Sequence, residues 1–194
     1  YAANAHSLRL AGFPAGYLKP NCFATALAEA AFLTGIERNA DVVAMTCYAP
    51  LFALAEGSQW EHCLIKYSPG HVLKTANYYV QQMYANKIGT AVVALEAELP
   101  DKVYASATAT NDQLFLKLVN ANAEPVQITV QLAGVSGSHA TVECLQADDL
   151  QAANELSFAG APIESVYPQL TEIALTEGNL VVELARQSFS VIVV

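Results

Sequence analysis

The sequence predicts an α+β chain: two helices and a buried strand of the kind found in a (β/α)8 barrel, then an antiparallel, jelly-roll-like β-sandwich. Three observations predict it. Apolar residues recur at helical spacing in two stretches before about residue 89. Between those stretches, "DVVAMTCYA" is short and almost entirely apolar. From residue 90 the period changes to alternation, with turn residues between short runs. The change of period divides the chain into a barrel-type segment, residues 1–89, and a sandwich, residues 90–194.

The elements follow in order. In "KPNCFATALAEAAFLTGIERNA", Pro20 and Asn21 mark a helix entry, and Phe23, Leu27, Ala30, Ala31 and Thr34 fall on one face. "DVVAMTCYA", bounded by Asp41 and Pro50, has the composition of a strand covered on both faces in a parallel sheet. "PLFALAEGSQWEHCLIKYSPGHVLKT" is too irregular for one element, and a long loop after a parallel strand is where barrel enzymes place function. "TANYYVQQMYANKIGT" predicts a second helix capped by Thr75 and ended by Gly89, with Tyr79, Val80, Met83 and Tyr84 on or near its packed face.

The second half alternates. "KVYASATATNDQLFLKLVNANAEPVQITVQLAG" holds two or three strands separated by "TND" and "NAEP". "SHATVECLQ" and "TEIALTEGNLVVELARQSFSVIVV" repeat the pattern, with a Glu-Gly-Asn hairpin turn. Several short strands at this spacing indicate a sandwich, with Phe115 and Phe189 facing its core. The stretch from Ala147 to Leu170, which carries Pro162 and Pro168, is expected to be a loop or edge excursion.

Composition excludes several function classes. With 54% hydrophobic and 14% charged residues among 194, the chain can fill packed cores, so disorder is excluded. Eighteen acidic against nine basic residues give a net charge of −9, and the basic residues are scattered singly, which excludes a nucleic-acid or anionic-lipid footprint. No apolar run reaches the roughly 18 residues of a spanning helix. Cys22, Cys47, Cys63 and Cys144 form no CxxC pair and are expected to be buried free thiols, leaving cytoplasmic and secreted locations both open. His71 and His139 stand in turn-like contexts, and no HxH or HExxH spacing exists to hold a metal.

Several segments resemble a known family. "LAEAAFLTGIERNADVVAMTCYAPLFA", "QWEHCLIKY" and "NYYVQQMYANKIG" look like the end of the catalytic barrel of glycoside hydrolase family 51 α-L-arabinofuranosidases. "YASATATNDQLFLKLVNANAEPVQITVQLAG" and "ARQSFSVIVV" are similar to that family's C-terminal sandwich. The resemblance implies that the chain is the C-terminal piece of a retaining enzyme releasing terminal arabinofuranose from arabinan or arabinoxylan, without cofactor or metal.

It also implies where the catalytic groups lie. In such relatives the strand before the alanine-rich helix ends in Glu-Tyr-Ala, whose glutamate is the nucleophile, whereas this chain starts at Tyr1-Ala2. The nucleophile is therefore expected one residue upstream, and the acid/base glutamate farther upstream. A retaining glycosidase needs both carboxyl groups about 5 to 5.5 Å apart, so the chain alone is expected to be inactive. Glu29 and Glu37 on the first helix, Glu96 and Glu98 alternating with Leu95 and Ala97 on a strand, and Asp148 and Asp149 in a loop are expected on solvated faces or turns rather than as a substitute pair.

Substrate contacts are expected from four residues. Tyr1 and Asn4 follow the nucleophile on the barrel rim by the resemblance, although as a chain end they can equally fray, a fate they share with His6 and Arg9. Trp60, with Glu61 and His62 beside it, offers an aromatic face for stacking on a sugar and polar neighbours for its hydroxyls; the competing role for Trp60 is packing. The alternative to an arabinofuranosidase part is a non-catalytic sandwich module, binding sugar or bracing, which would need an aromatic row among Tyr104, Phe115, Phe158, Tyr167 and Phe189. A barrel piece without its neighbours exposes an apolar face and an open edge, so homo-oligomerisation is expected of the isolated chain.

Overall fold

A computed structural model describes residues 19–58, 61–135, 137–176 and 178–194. Two helices are present among them, α1 (Phe23–Arg38) and α2 (Ala76–Asn86). Thirteen strands follow the chain order: β1 (Phe52–Leu54), β2 (Ile65–Ser68), β3 (His71–Lys74), β4 (Ala91–Val93), β5 (Val103–Ala109), β6 (Leu114–Asn120), β7 (Val126–Gln131), β8 (His139–Gln146), β9 (Glu155–Leu156), β10 (Pro162–Ile163), β11 (Gln169–Ala174), β12 (Asn179–Leu184) and β13 (Ser188–Val193).

The organising element is a six-stranded antiparallel sheet in the order β11-β8-β13-β6-β5-β4. Each of its strands shows different chemistry to the two sides, because successive side chains point to opposite faces. On β6, Leu116 and Leu118 face one side, where Leu180, Val182 and Leu184 of the β7–β12 pair close a sandwich core with Ile192 of β13. Val119 faces the other side with Phe189 and Val191 of β13, and there both helices cover the sheet through Phe23, Leu27, Ala30, Val80, Met83 and Tyr84. Phe115 and Phe189 are buried, but Phe189 packs on the helix-covered face rather than in the sandwich core where it was expected, because both faces of the sheet are covered and alternation does not tell them apart. One sheet thus has strands on one face and helices on the other.

The helices form where the sequence places them. Thr75 caps α2, its hydroxyl accepting from the Tyr78 N–H, and thereby holds an otherwise unpaired first-turn donor. Upstream of α1, Asn21 adopts φ +53°, a left-handed conformation that asparagine tolerates better than most residues, and Cys22 is the N-cap. Tyr84 stacks on Phe189 at 5.1 Å between ring centroids and 12° between planes, locking α2 to the sheet.

The structure corrects several expectations. Residues 41–49 form no strand: the segment opens on a turn at 41–42, continues without regular structure and is largely exposed, with Val42 at 76% and Met45 at 87% of full exposure. Apolar composition alone cannot pair a backbone, and among the described residues no strand runs beside this segment to complete a ladder. Cys47, carried on it, is exposed for the same reason, while Cys22 and Cys63 are buried, Cys144 is half-buried, and all four are free thiols.

The turn at residues 176–179 is tight, with Thr176 bridging to Asn179, but it does not make a hairpin. Its flanking strands join opposite layers, β11 to β8 and β12 to β7. Glu96 and Glu98 lie beyond the end of β4 in an irregular exposed stretch rather than on a strand.

The irregular stretch after Pro50 contains a small sheet of its own. β1 pairs parallel with β2, and β2 turns back on β3. The excursion between residues 147 and 170 folds into the β9–β10 hairpin, whose Gly160 carbonyl accepts from the Ser68 hydroxyl at 2.9 Å. This contact ties the excursion to the β2–β3 turn.

Candidate functional site

A cleft of about 410 Å³ opens beside the end of β1, lined among others by Pro20, Ala55, Ser58, Glu61, Cys63 and Lys66. Its wall is the segment from Glu61 to Leu64, which leads into β2. The segment is fixed by backbone: Leu64 N–H donates to the Pro50 carbonyl at 3.1 Å, and Ile65 N–H to the Leu51 carbonyl at 2.9 Å. Thr75 Oγ1 completes the attachment by donating to the Leu64 carbonyl at 2.7 Å.

His62 lies half-buried between Glu61 and Cys63, which line the cleft, and is not itself a lining residue. Burial pushes its pKa below the usual histidine value and Lys66 adds to that, outweighing the opposing pull of Glu61. The imidazole is therefore neutral at pH 7, suited to exchanging hydrogen bonds with hydroxyl groups rather than to carrying charge. Of the four residues expected to touch substrate, His62 is the one the structure describes; Tyr1, Asn4 and Trp60 lie outside the described residues, as do His6 and Arg9.

Behind the wall stands a polar cluster that the sequence reading missed. Glu29 was expected on a solvated helix face, yet it is 1% exposed. Asn77 Nδ2 donates to its Oε2 at 2.5 Å, and Gln81 Nε2 donates to its Oε1. Asn77 Oδ1 in turn accepts from Asn21 Nδ2 at 3.1 Å, and Asn21 Nδ2 also reaches the Tyr48 hydroxyl at 2.9 Å. The Tyr48 hydroxyl donates to the His62 carbonyl at 3.2 Å.

Burial governs the electrostatics of this cluster. It raises the Glu29 pKa from 4.5 to about 7, against the two amide donors that favour the carboxylate. It also raises the Tyr48 phenol well above its ordinary value, with the neighbouring Glu29 charge acting in the same direction. The signal was present in the sequence: Thr25 and Glu29 lie four apart on α1, as do Asn77 and Gln81 on α2, so each pair makes a polar stripe along one helix face, and Asn21 stands just ahead of the α1 cap.

The other acidic residues form no catalytic pair. Glu37 is held by the buried Lys117 at the C-terminal end of α1. Asp148 and Asp149 border a second hollow of about 560 Å³ at the end of β8, with Gln146, Ser165 and Gln169 and without an aromatic side chain. Asp148 is exposed and lies 3.7 Å from Arg186. Among the described residues no group of three or more His, Cys, Asp or Glu side chains is arranged to hold a metal, and no helix is long and apolar enough to cross a membrane.

Comparison with known proteins assigns this arrangement. A family profile described as "Alpha-L-arabinofuranosidase C-terminal domain" matches residues 1–188. "Probable alpha-L-arabinofuranosidase A" of Aspergillus flavus is 32% identical over 169 residues, covering 86% of this chain and 26% of that protein. "Alpha-L-arabinofuranosidase 1" of Arabidopsis thaliana is 33% identical over 176 residues, covering 84% of this chain and 25% of its own length. The arabinose-bound MgGH51 α-L-arabinofuranosidase superposes with a TM-score of 0.81 at 27% identity, over 92% of this chain and 28% of that one. The enzyme of Thermotoga maritima shares the fold, with a TM-score of 0.74 at 18% identity over 91% of this chain and 39% of its own.

The fold and these matches define a glycoside hydrolase module in which helices and a sandwich share one sheet. More narrowly, the chain belongs to the α-L-arabinofuranosidase family, as the C-terminal part of a glycoside hydrolase family 51 enzyme. It spans about a quarter of the length of these curated relatives.

Proposed function

We propose that this chain is the C-terminal part of a retaining α-L-arabinofuranosidase that hydrolyses terminal α-L-arabinofuranosyl residues of arabinan- or arabinoxylan-type polysaccharides. The observation that carries the proposal is the family match over residues 1–188 in a chain that spans only about a quarter of its curated relatives. On this reading residues 1–89 close the catalytic barrel and residues 90–194 form the accessory sandwich. The nucleophile and the acid/base glutamate are supplied by sequence upstream of Tyr1. Hydrolysis with retention needs one carboxylate to attack the anomeric carbon and one carboxyl to protonate the leaving oxygen, and the two carboxylates carried by α1, Glu29 and Glu37, are held by Asn77 and Gln81 and by Lys117 and Ser106.

The role left to this chain is to shape the sugar site. Tyr1, Asn4, Trp60 and His62 are assigned to substrate contact, with the cleft beside β1 as the part of the site this chain contributes. A neutral, half-buried His62 next to the cleft-lining Glu61 and Cys63 fits recognition of hydroxyl groups at the edge of that cleft. No cofactor or metal takes part in the proposed reaction.

The test is turnover of an aryl α-L-arabinofuranoside. The full-length protein is expected to hydrolyse it with retention of anomeric configuration, read by NMR of the first-formed sugar, while the 194-residue chain shows no turnover above background. Turnover by the purified chain, or inversion by the full-length protein, overturns the proposal. Tight retention of the chain on arabinan in affinity electrophoresis, without activity in the full-length protein, would instead favour a sugar-binding module. The exposed aromatics do not favour that alternative, since Tyr104 lies on β5, Phe158 between β9 and β10, and Tyr167 ahead of β11.

A further inference from the structure

We infer that Glu29, Asn77, Asn21 and Tyr48 form a directional hydrogen-bond relay that positions the peptide at His62, and with it the wall of the cleft, for sugar binding. The inference rests on the proposed function for the words "sugar binding", while the relay itself stands on geometry. Glu29, Asn77, Asn21 and Tyr48 are all buried, so their polar atoms depend on partners inside the protein, and among the relay's side-chain atoms only Asn21 Oδ1 is left without one. The links run from α1 to α2, back to the residue before the α1 cap, and out to the loop: Asn77 to Glu29 at 2.5 Å, Asn21 to Asn77 at 3.1 Å, Asn21 to Tyr48 at 2.9 Å and Tyr48 to the His62 carbonyl at 3.2 Å.

Direction is set at the Glu29 end. An ionised carboxylate only accepts, so both amides facing it must present their NH2 groups. Asn77 then has only its oxygen to offer Asn21, which fixes the Asn21 NH2 towards Asn77 and Tyr48. With its oxygen lone pair taken by Asn21, the Tyr48 hydroxyl turns its proton to the His62 carbonyl. The left-handed backbone at Asn21, φ +53°, holds the side chain that joins the helix pair to the loop.

Reversing the first link disturbs the rest. A protonated carboxyl, or the amide of glutamine, brings a donor to a place already occupied by two donors. One of the two amides, Asn77 or Gln81, must then rotate or lose its bond, and when Asn77 is the one displaced its oxygen no longer meets Asn21. The raised pKa of Glu29, about 7, makes this reversal accessible near neutral pH. Among the described residues the titratable groups that act on Glu29 are Tyr48 and Tyr84, both un-ionised in this range because burial raises their pKa values, and Cys63 faces Tyr48. From α2 the facing groups at the carboxylate, Asn77 and Gln81, are neutral.

The experiment uses the full-length protein with Glu29→Gln, Tyr48→Phe and the double variant, assayed on an aryl arabinofuranoside between about pH 5.5 and 8.5, with hydrogen exchange followed over residues 61–65. Each single variant is expected to raise KM about fivefold, the worth of roughly one hydrogen bond, with kcat changed less than about twofold. The double variant is expected to be no worse than either single one, because both break the same chain. Wild-type KM should fall as pH rises through about 7, and Glu29→Gln should lose that step. Exchange at residues 61–65 should quicken about fivefold in both single variants while that of α1 stays unchanged.

KM values within twofold of wild type, multiplicative effects in the double variant, or unchanged exchange at residues 61–65 each overturn the relay. Tyr48→Phe leaves the α1–α2 contacts in place, so it decides the matter even where Glu29→Gln does not fold. A full-length protein without arabinofuranosidase activity, but with the exchange coupling between Glu29 and residues 61–65 intact, overturns the proposed function alone.

Discussion

Lys117 on β6 and Glu37 on α1 meet at 2.5 Å between Nζ and Oε1, with the lysine side chain 0% and the glutamate side chain 13% exposed. The pair pins the last turns of α1 to the sheet. Ser106 Oγ donates to the second Glu37 oxygen at 2.6 Å, Thr108 Oγ1 accepts from Lys117 at 3.1 Å, and the ammonium lies 5.6 Å from the Tyr84 ring centroid. Burial pushes the Lys117 pKa down, and Glu37 is what opposes that shift.

A buried ion pair is costly to half-remove. Glu37→Ala leaves Lys117 buried without its counter-charge and is expected to lower unfolding free energy by about 3–5 kcal/mol. Replacing both partners, Glu37→Leu with Lys117→Met, removes the desolvation cost together with the attraction, and is expected to cost far less than Glu37→Ala alone. Urea midpoints for the three proteins check this. A double variant no more stable than Glu37→Ala would contradict it.

Glu29 predicts an unusual pH dependence. Its folded-state pKa, about 7, is above the unfolded value of 4.5, so between those pH values the folded chain holds a proton that the unfolded chain has released. Stability from this group is therefore full below about pH 4.5 and is lost as pH rises to about 7, by about 3 kcal/mol at most. Glu29→Gln should flatten that part of the stability-against-pH curve. The check is the denaturant midpoint of both proteins at half-unit pH steps, and parallel curves would show that Glu29 is not the group responsible.

Asn154 predicts a third effect, on the excursion between β8 and β11. Its Nδ2 donates to the Lys74 carbonyl at 2.9 Å and to the Val166 carbonyl at 2.8 Å, and its Oδ1 accepts from the Val166 N–H at 2.8 Å. One side chain thus stitches the end of β3 to the approach of β11. Asn154→Ala leaves the buried Val166 backbone groups without partners and is expected to cost about 2–4 kcal/mol, with Asn154→Asp recovering part through its remaining oxygens. Thermal melting measures the loss, and protease sensitivity between residues 150 and 168 should rise with it.

How much of this was legible depends on what decides each element. The helices and alternating strands are set by local period and capping, so Thr75 and the Leu180, Val182, Leu184 face of β12 could be read directly. Residues 41–49 could not, because an apolar run says that a segment needs cover without saying what supplies it. Glu29 was hidden for a related reason: a lone carboxylate on a helix is ordinarily solvated, and its burial follows only once α2 is known to bring Asn77 and Gln81 against it. Of the candidate site, His62 could be singled out as a polar residue beside an aromatic. The Tyr48 bond to its carbonyl joins residues 14 apart through a fold that no local pattern encodes.

The exposed segment before β1 predicts how the isolated chain behaves in solution. Val42, Met45, Leu51, Phe52 and Leu54 are all exposed, on one continuous stretch of backbone. Among the described residues β1 is the outer strand of its small sheet and pairs with β2 alone, so apolar side chains and a strand edge occur together there. Phe52 covers part of its own surface by stacking on Tyr67 at 4.5 Å, which leaves Val42 and Met45 as the residues most open to water. An exposed apolar patch beside a free edge favours association with another chain. The 194-residue chain is accordingly expected to self-associate as its concentration rises, and Val42→Lys with Met45→Lys should shift it towards monomer without lowering its melting temperature, since neither side chain supports the core. Sedimentation velocity over a hundredfold range of concentration reads both effects. A wild-type chain that stays monomeric throughout would mean that this stretch is covered within the same molecule.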